Sequence, residues 1–257
     1  MTPSLLHVIS GQLTGDAPLD TAVSRAILKQ VSDGSLPETL QVGRPGRAVA
    51  FGKQDVLTPG FDRATQVALD CGYTPTIRIA GGHAIVFHEH TIRFTWTVPS
   101  QDPVKHMHRR FGVVAQHVVD TLESLGADAV IGELPGEYCP GRYSVYVAGS
   151  ANTPKKVMGS GQRLARKASQ LAGVIVVRDA DAVNRVLRPV YAALGLDMDP
   201  SVTGCVADVV EVDTDAVASR LACQIADGRG VVQVEIEPTT ETIARRLRND
   251  HDPCAFA

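Results

Sequence analysis

The sequence is short of several things. No apolar run approaches the ~18–20 residues that a membrane-spanning helix needs, and the first eleven residues lack a basic segment followed by a long apolar stretch, so no secretory signal is expected. There are five cysteines, at 71, 139, 205, 223 and 254. They are scattered, odd in number and without a CxxC pair, which argues against a disulfide framework and a structural zinc site and fits a reducing cytoplasm. No HExxH occurs, and the alternating His88-Glu89-His90 is too little for a metal site, so no metal is expected. Aromatic residues are only 5% and the formal net charge is −3. Neither a base-stacking surface nor a global positive field is available for nucleic acid.

What is present is the composition of a folded globular chain: 257 residues, 44% hydrophobic and 21% charged. That length allows one large domain or two small ones, with a core that needs no staples. Ala22, Val23, Ala26, Ile27 and Val31 recur at helical spacing and predict a helix over 20–31, stopped by Ser32-Asp33-Gly34. Further helices are predicted over 62–71, from Pro103 to Leu125, and over 180–194, 213–225 and 240–247. Strands are predicted at 48–51, 76–79, 84–87, 92–98, 143–147, 157–158, 173–177 and 231–236. Hairpin-like strand pairs mixed with helices indicate an α+β class. A main domain over 1–200 is expected, with a small C-terminal extension over 201–257 packed on it.

Three segments depart from core patterning. Arg78-Ile79-Ala80-Gly81-Gly82-His83-Ala84 puts paired glycines between two strands, where a ligand can approach the backbone and Arg78 can meet an anion. Gly136-Glu137-Tyr138-Cys139-Pro140-Gly141 presents a thiol in a loop before a strand; it becomes a nucleophile only if a nearby cation or base favours the thiolate. Lys155-Lys156-Val157-Met158-Gly159-Ser160-Gly161-Gln162-Arg163 brings a lysine into a glycine-spaced strand whose N–H groups can face a bound group. Gly43-Arg44-Pro45-Gly46-Arg47 is read as a loop before a strand.

Taken in order, these segments resemble the biotin/lipoate protein ligase and lipoyl-transferase family. Ala48-Val49-Ala50-Phe51-Gly52-Lys53-Gln54 is similar to that family's strand ending in glycine and glutamine. Arg78 to Val86 resembles its RRxxGGGxVxH element, and Lys156 to Arg163 its KxxGxAQR element with the family lysine. ATP-dependent lipoate ligases usually carry a third glycine where this chain has His83, and they need no nucleophilic cysteine. The Tyr138-Cys139-Pro140-Gly141 loop looks most like the cysteine-dependent octanoyl transferases, in particular the branch that moves octanoyl from the glycine-cleavage H protein to other lipoyl domains.

The resemblance implies a mixed central sheet flanked by helices, as in class II aminoacyl-tRNA synthetases. It implies a ping-pong transfer of an octanoyl or lipoyl group through a Cys139 thioester to a lysine of a lipoyl domain, with Lys156 as the cation beside the sulfur. Arg78, Gly81, Gly82, His83, Gly159, Ser160 and Gln162 would bind substrate, and Val86 and Val157 would either form part of an alkyl tunnel or pack as plain core. The implied partners are the H protein and 2-oxoacid dehydrogenase E2 subunits, met by Arg163, Arg166 and Lys167, with no nucleic acid or membrane. A transferase needs no cofactor. The alternatives are an ATP- and Mg-dependent lipoate ligase that passes through lipoyl-AMP, and a non-catalytic binder of acyl carriers.

Overall fold

The computed structural model describes residues 5–149 and 153–255. The elements run β1 (Leu6–Gln12), α1 (Ala17–Asp33), β2 (Thr39–Arg44), β3 (Ala48–Phe51), α2 (Phe61–Asp70), β4 (Thr74–Ile77), β5 (Ile85–Phe87), β6 (Thr91–Pro99) and α3 (Met107–Glu123). They continue with β7 (Ala129–Ile131), β8 (Val145–Ala148), β9 (Pro154–Leu164), β10 (Ala168–Val176), α4 (Ala180–Leu194), α5 (Thr214–Ala226), β11 (Val231–Gln233) and α6 (Pro238–Leu247). Part of the turn between β8 and β9 lies outside the described residues.

Eight strands form one mixed sheet in the order β11-β1-β2-β6-β10-β9-β8-β7, and β4-β3-β5 form a second, small one. β6 and β10 are the antiparallel centre, paired from Pro99 with Ala168 to Thr91 with Val176. Gly173 faces Phe94 in that ladder, and a Cβ there would run into the ring. α3 and α5 cover one face of the large sheet, burying Val114, Val118, Leu122, Val217, Leu221 and Ile225 against Leu6, Leu40, Ile92 and Phe94. α1 and α6 pack together in a cluster that includes Ala168 of β10. α2 and α4 enclose the small sheet in a separate cluster.

Local chemistry fixes the helix that bounds the site. α1 opens with Asp16 accepting the Leu19 N–H at 3.1 Å and Pro18 in its first turn, and ends at Gly34 in the left-handed region. The predicted mixed sheet flanked by helices is what the chain forms. Residues 201–257 do more than lie on the surface. Val206, Val217 and Leu221 sit inside the main core, and β11 extends the large sheet beside β1. The glycine–arginine segment at 43–47 differs from its reading: Gly43 and Arg44 end β2, and Arg44 pairs with Asp215. Among the described residues no helix is long and apolar enough to cross a membrane, and no cluster of side chains is arranged to hold a metal.

Candidate active site

The two glycine-bearing segments and the cysteine loop meet at the seam between the sheets. The loop after β4 brings Arg78 to His83, the loop before β8 brings Glu137 to Cys139, β9 brings Lys156 to Ser160, and α4 brings Tyr191. Cys139 has φ +43°. A non-glycine residue in this left-handed region costs ~1–3 kcal/mol and persists only when its surroundings over-determine it.

Here they do. The Cys139 N–H donates to the Tyr191 phenol oxygen at 2.7 Å, and the phenol donates on to the Ala84 carbonyl at 3.1 Å. Lys156 Nζ donates to the Tyr138 carbonyl at 2.8 Å and the Cys139 carbonyl at 2.9 Å. Its remaining bond goes to Glu137 Oε1 at 2.8 Å, and the Tyr138 ring lies 4.7 Å from the ammonium. Both side chains of this ion pair are wholly buried. Glu137 is satisfied on every side: Oε1 also accepts from the Ser144 hydroxyl and the Gly141 N–H, and Oε2 from the Leu134 N–H. Burial pushes the phenols of Tyr138 and Tyr191 well above the ordinary tyrosine range, so Tyr191 stays a donor.

The sulfur accepts from the His83 N–H at 3.3 Å and from Arg78 Nη2 at 3.4 Å, within the wider reach of sulfur. The same Nη2 donates to the His83 carbonyl at 2.7 Å, which fixes the guanidinium. Gly82 makes this possible. Its φ is +98°, and a Cβ there would stand 2.7 Å from the sulfur and collide with the guanidinium. At Gly81 a Cβ would meet open space. The His83 ring Nδ1 lies 2.7 Å from Asp55 Oδ1; Asp55 is fully buried and its other oxygen accepts the Gly52 N–H at 2.8 Å.

One expectation is corrected and one alternative is decided. The cation hydrogen-bonded to the sulfur is Arg78; Lys156 spends its hydrogen bonds on Glu137 and two carbonyls. Val86 and Val157 do not line a tunnel: Val86 packs in the small-sheet core and Val157 in the main core. The cleft beneath Cys139 is walled instead by Ile79, Ile85, Phe87 and Ala172, with Ser24, Arg93, Thr95, Lys156 and Gln170 among its polar members. Gly159 and Ser160 line it, and the Ser160 hydroxyl is buried without a partner. Gln162 does not line it; its amide is buried and unpartnered in β9. Beside the cleft, and sharing Arg78 and Ile79 with it, runs a broad groove of about 870 Å³ edged by Lys29, Lys53, Arg163, Arg166 and Lys167.

The other thiols are placed differently. Cys205 is buried beside Asp208, and burial pushes its thiol up to about 11; Cys71, Cys223 and Cys254 are exposed and far from this loop in sequence. Asp55 and Tyr191 carried no role in the sequence. An acid three residues beyond the glycine that ends a strand was the only signal for Asp55, and Tyr191 sits in the apolar stripe of α4, where it reads as core.

Residues 16–226 match the lipoyl protein ligase A/B catalytic domain family. Among curated proteins, the octanoyl-[GcvH]:protein N-octanoyltransferase of Geobacillus kaustophilus is 23% identical over 82% of this chain and 72% of its own length. That of Bacillus velezensis is 25% identical over 59% of this chain and 51% of its own length. Among solved structures, a T. acidophilum lipoate protein ligase with bound lipoic acid superposes with TM-score 0.77 at 20% identity, over 96% of both chains. A lipoate-protein ligase A bound with ATP gives 0.74 at 20% identity, over 97% of this chain and 95% of that one. The chain therefore belongs to the lipoyl protein ligase A/B catalytic domain family.

Proposed function

We propose that this protein is an acyltransferase of protein lipoylation that carries an octanoyl or lipoyl group as a thioester on Cys139 and passes it to a lysine of a lipoyl domain. The observation that carries this reading is the strained, three-way-anchored Cys139, whose sulfur accepts from a guanidinium and a backbone N–H at the mouth of a mostly apolar cleft. Both donors favour negative charge on sulfur. Once the sulfur is acylated they lie next to the thioester carbonyl, where charge develops in the tetrahedral intermediate. Lys156 and Tyr191 act as positioning residues, since they hold the backbone that presents the thiol. The names of the relatives support an octanoylated H protein as donor and a second protein as acceptor.

Energetics support transfer without a nucleotide. Amide-to-amide exchange through a thioester is roughly balanced, and transfer from a carrier thioester to an amine is downhill. Ligation of a free acid is uphill and needs an acyl-adenylate. One observation favours that second reading, the ATP-dependent ligase: the cation-edged groove beside Arg78 suits a polyphosphate as well as an acidic protein.

One incubation separates them. With octanoylated H protein and no ATP, transfer predicts an octanoyl mass on the Cys139 peptide and none in Cys139→Ser. Activity that needs ATP and free acid, and survives Cys139→Ser, assigns the chain to the ligases.

A further inference from the structure

The acyl transfer proposed above moves protons that most groups around the sulfur cannot move. An amine leaving the donor amide must gain one, and the acceptor lysine must lose one. Arg78 stays protonated. Lys156 is wholly buried with its hydrogen bonds committed to Glu137 and two carbonyls. The Tyr191 phenol is held protonated by burial and donates to a carbonyl.

His83 differs from all of these. Imidazole is the side chain that changes charge nearest neutrality. The ring is 28% exposed, so it can reach solvent and substrate, while the N–H of the same residue rests on the Cys139 sulfur. Its Nδ1 faces a carboxylate with no exposure at all, and that carboxylate is anchored by the Gly52 N–H. An acceptor fixed on Nδ1 sets the tautomer and leaves Nε2 as the working nitrogen. The contacts to the Arg78 guanidinium and the thiol are made by the His83 backbone, and the groups that face the ring itself are Asp55 and the Tyr191 ring, whose centroid lies 6.5 Å from the imidazole. A purely structural histidine has no need of a buried carboxylate on one nitrogen and an open face on the other.

We propose that His83, oriented by Asp55, is the proton carrier of the transfer; this rests on the thioester reading. In the first half, the thiolate forms an S–C bond, the C–N bond of the donor amide breaks, and protonated His83 gives its Nε2 proton to the departing amine. In the second half, the acceptor amine forms a C–N bond, its proton passes to neutral Nε2, and the C–S bond breaks to return the thiolate. The two halves restore the starting charges.

The experiment uses the full chain and separates the steps by mass spectrometry. A small octanoyl thioester acylates Cys139 with a thiolate leaving group, which needs no proton. The acyl-enzyme is then chased either with a lipoyl domain or with hydroxylamine, a weakly basic amine that arrives uncharged near neutrality and whose adduct is acidic enough to lose its proton directly to water. His83→Asn should acylate within about threefold of wild type and release to hydroxylamine normally, yet transfer to the lipoyl-domain lysine ~10²–10⁴-fold more slowly. Asp55→Asn should reproduce the pattern in milder form. Unimpaired transfer to lysine by His83→Asn overturns the inference, as does equal loss in all three reactions, which is the mark of a structural role. A wild-type enzyme that never gains the acyl mass overturns the thioester reading and this inference with it.

Discussion

The Lys156 ammonium lies 2.9 Å from the carbonyl oxygen of Cys139 and 2.8 Å from Glu137 Oε1, so one buried cation both neutralises a buried carboxylate and grips the backbone of Cys139. Burying two charges is costly, and breaking such a pair by removing one partner costs ~3–5 kcal/mol because the other is left uncompensated. Lys156→Met should therefore lower the urea midpoint sharply. Glu137→Gln should also do so, though less, because the amide keeps part of the hydrogen bonding. The double variant Lys156→Met/Glu137→Leu removes the unpaired charge but orphans the Ser144, Gly141 and Leu134 donors, so it should recover only a small part of the lost stability and none of the acyl transfer, since the carbonyl of Cys139 has still lost its donor. Equal midpoints for the single variants and wild type would contradict this account.

Gly82 separates activity from stability. An added methyl there meets the sulfur and the Arg78 guanidinium, and the φ of +98° is strained for any L side chain. The loop is partly exposed and can shift without breaking a core. Gly82→Ala should cost about 1–3 kcal/mol in stability and slow thioester formation at least ~100-fold, equivalent to about 2.7 kcal/mol in the barrier. Gly81→Ala meets open space and should acylate at close to the wild-type rate. Similar rates for both variants would show that the Arg78–sulfur–Gly82 packing is unimportant.

Much of this was legible before any coordinates. The strand at 48–51 and the helix at 180–194 coincide with β3 and α4, because both carry clean apolar patterning and sharp ends. β1, β2 and β7 were not predicted. β1 and β2 are short and half polar, and β2 ends in Gly43-Arg44, which on its own reads as a turn; pairing on both sides, parallel with β1 and antiparallel with β6, makes it a strand. α3 begins at Met107 and not at Pro103, since the residues between form turns tied by the Lys105 N–H to Asp102. At the site, the glycines and the thiol announce themselves by type. Lys156 does not: a lysine after a turn reads as exposed, and only the coordinates reveal the carboxylate and two carbonyls that bury it.

Acid should loosen the fold in two stages. Burial holds the imidazoles of His88, His117 and His251 below the usual histidine range. Below about pH 6.5 the unfolded chain takes up protons that the folded one refuses, so stability is full above that pH and declines as pH falls, by at most about 1.4 kcal/mol per pH unit for each group. Glu89 acts lower down: its hydrogen bond to Arg47 lowers its carboxyl to about 2, so its contribution is complete above the ordinary value of 4.5 and fades as pH falls toward 2. Asp20 runs the other way, because burial raises its carboxyl and favours the folded state when protonated. Urea midpoints should hold between pH 7.5 and 6.5 and fall between pH 6.5 and 5, and His88→Gln should flatten that fall. A constant midpoint from 7.5 to 5 would show that these histidines accept protons in the native state.

The groove beside the site offers a separate test of partner recognition. Lys29, Lys53, Arg163, Arg166 and Lys167 edge it, none with a carboxylate partner within salt-bridge distance among the described residues, and they outnumber the two acids of its lining, Asp33 and Asp250, of which Asp250 is paired with Arg25. The chain as a whole is weakly acidic, so this local field is set against its surroundings and is suited to steering an acidic domain to the thiol. Reversing Arg163, Arg166 and Lys167 to glutamate removes three positive charges and adds three negative ones about a rim, where effects fall mainly on association. The KM for a lipoyl-domain acceptor should rise ~10-fold or more at low salt, with kcat little changed, and the gap should close as ionic strength increases and the Debye length shrinks to ~8 Å near 0.15 M. Acylation by a small octanoyl thioester, which has no protein surface to dock, should be unaffected. Equal loss with both donors would mean that these residues shape the cleft and do not receive a partner, and an effect insensitive to salt would rule out steering.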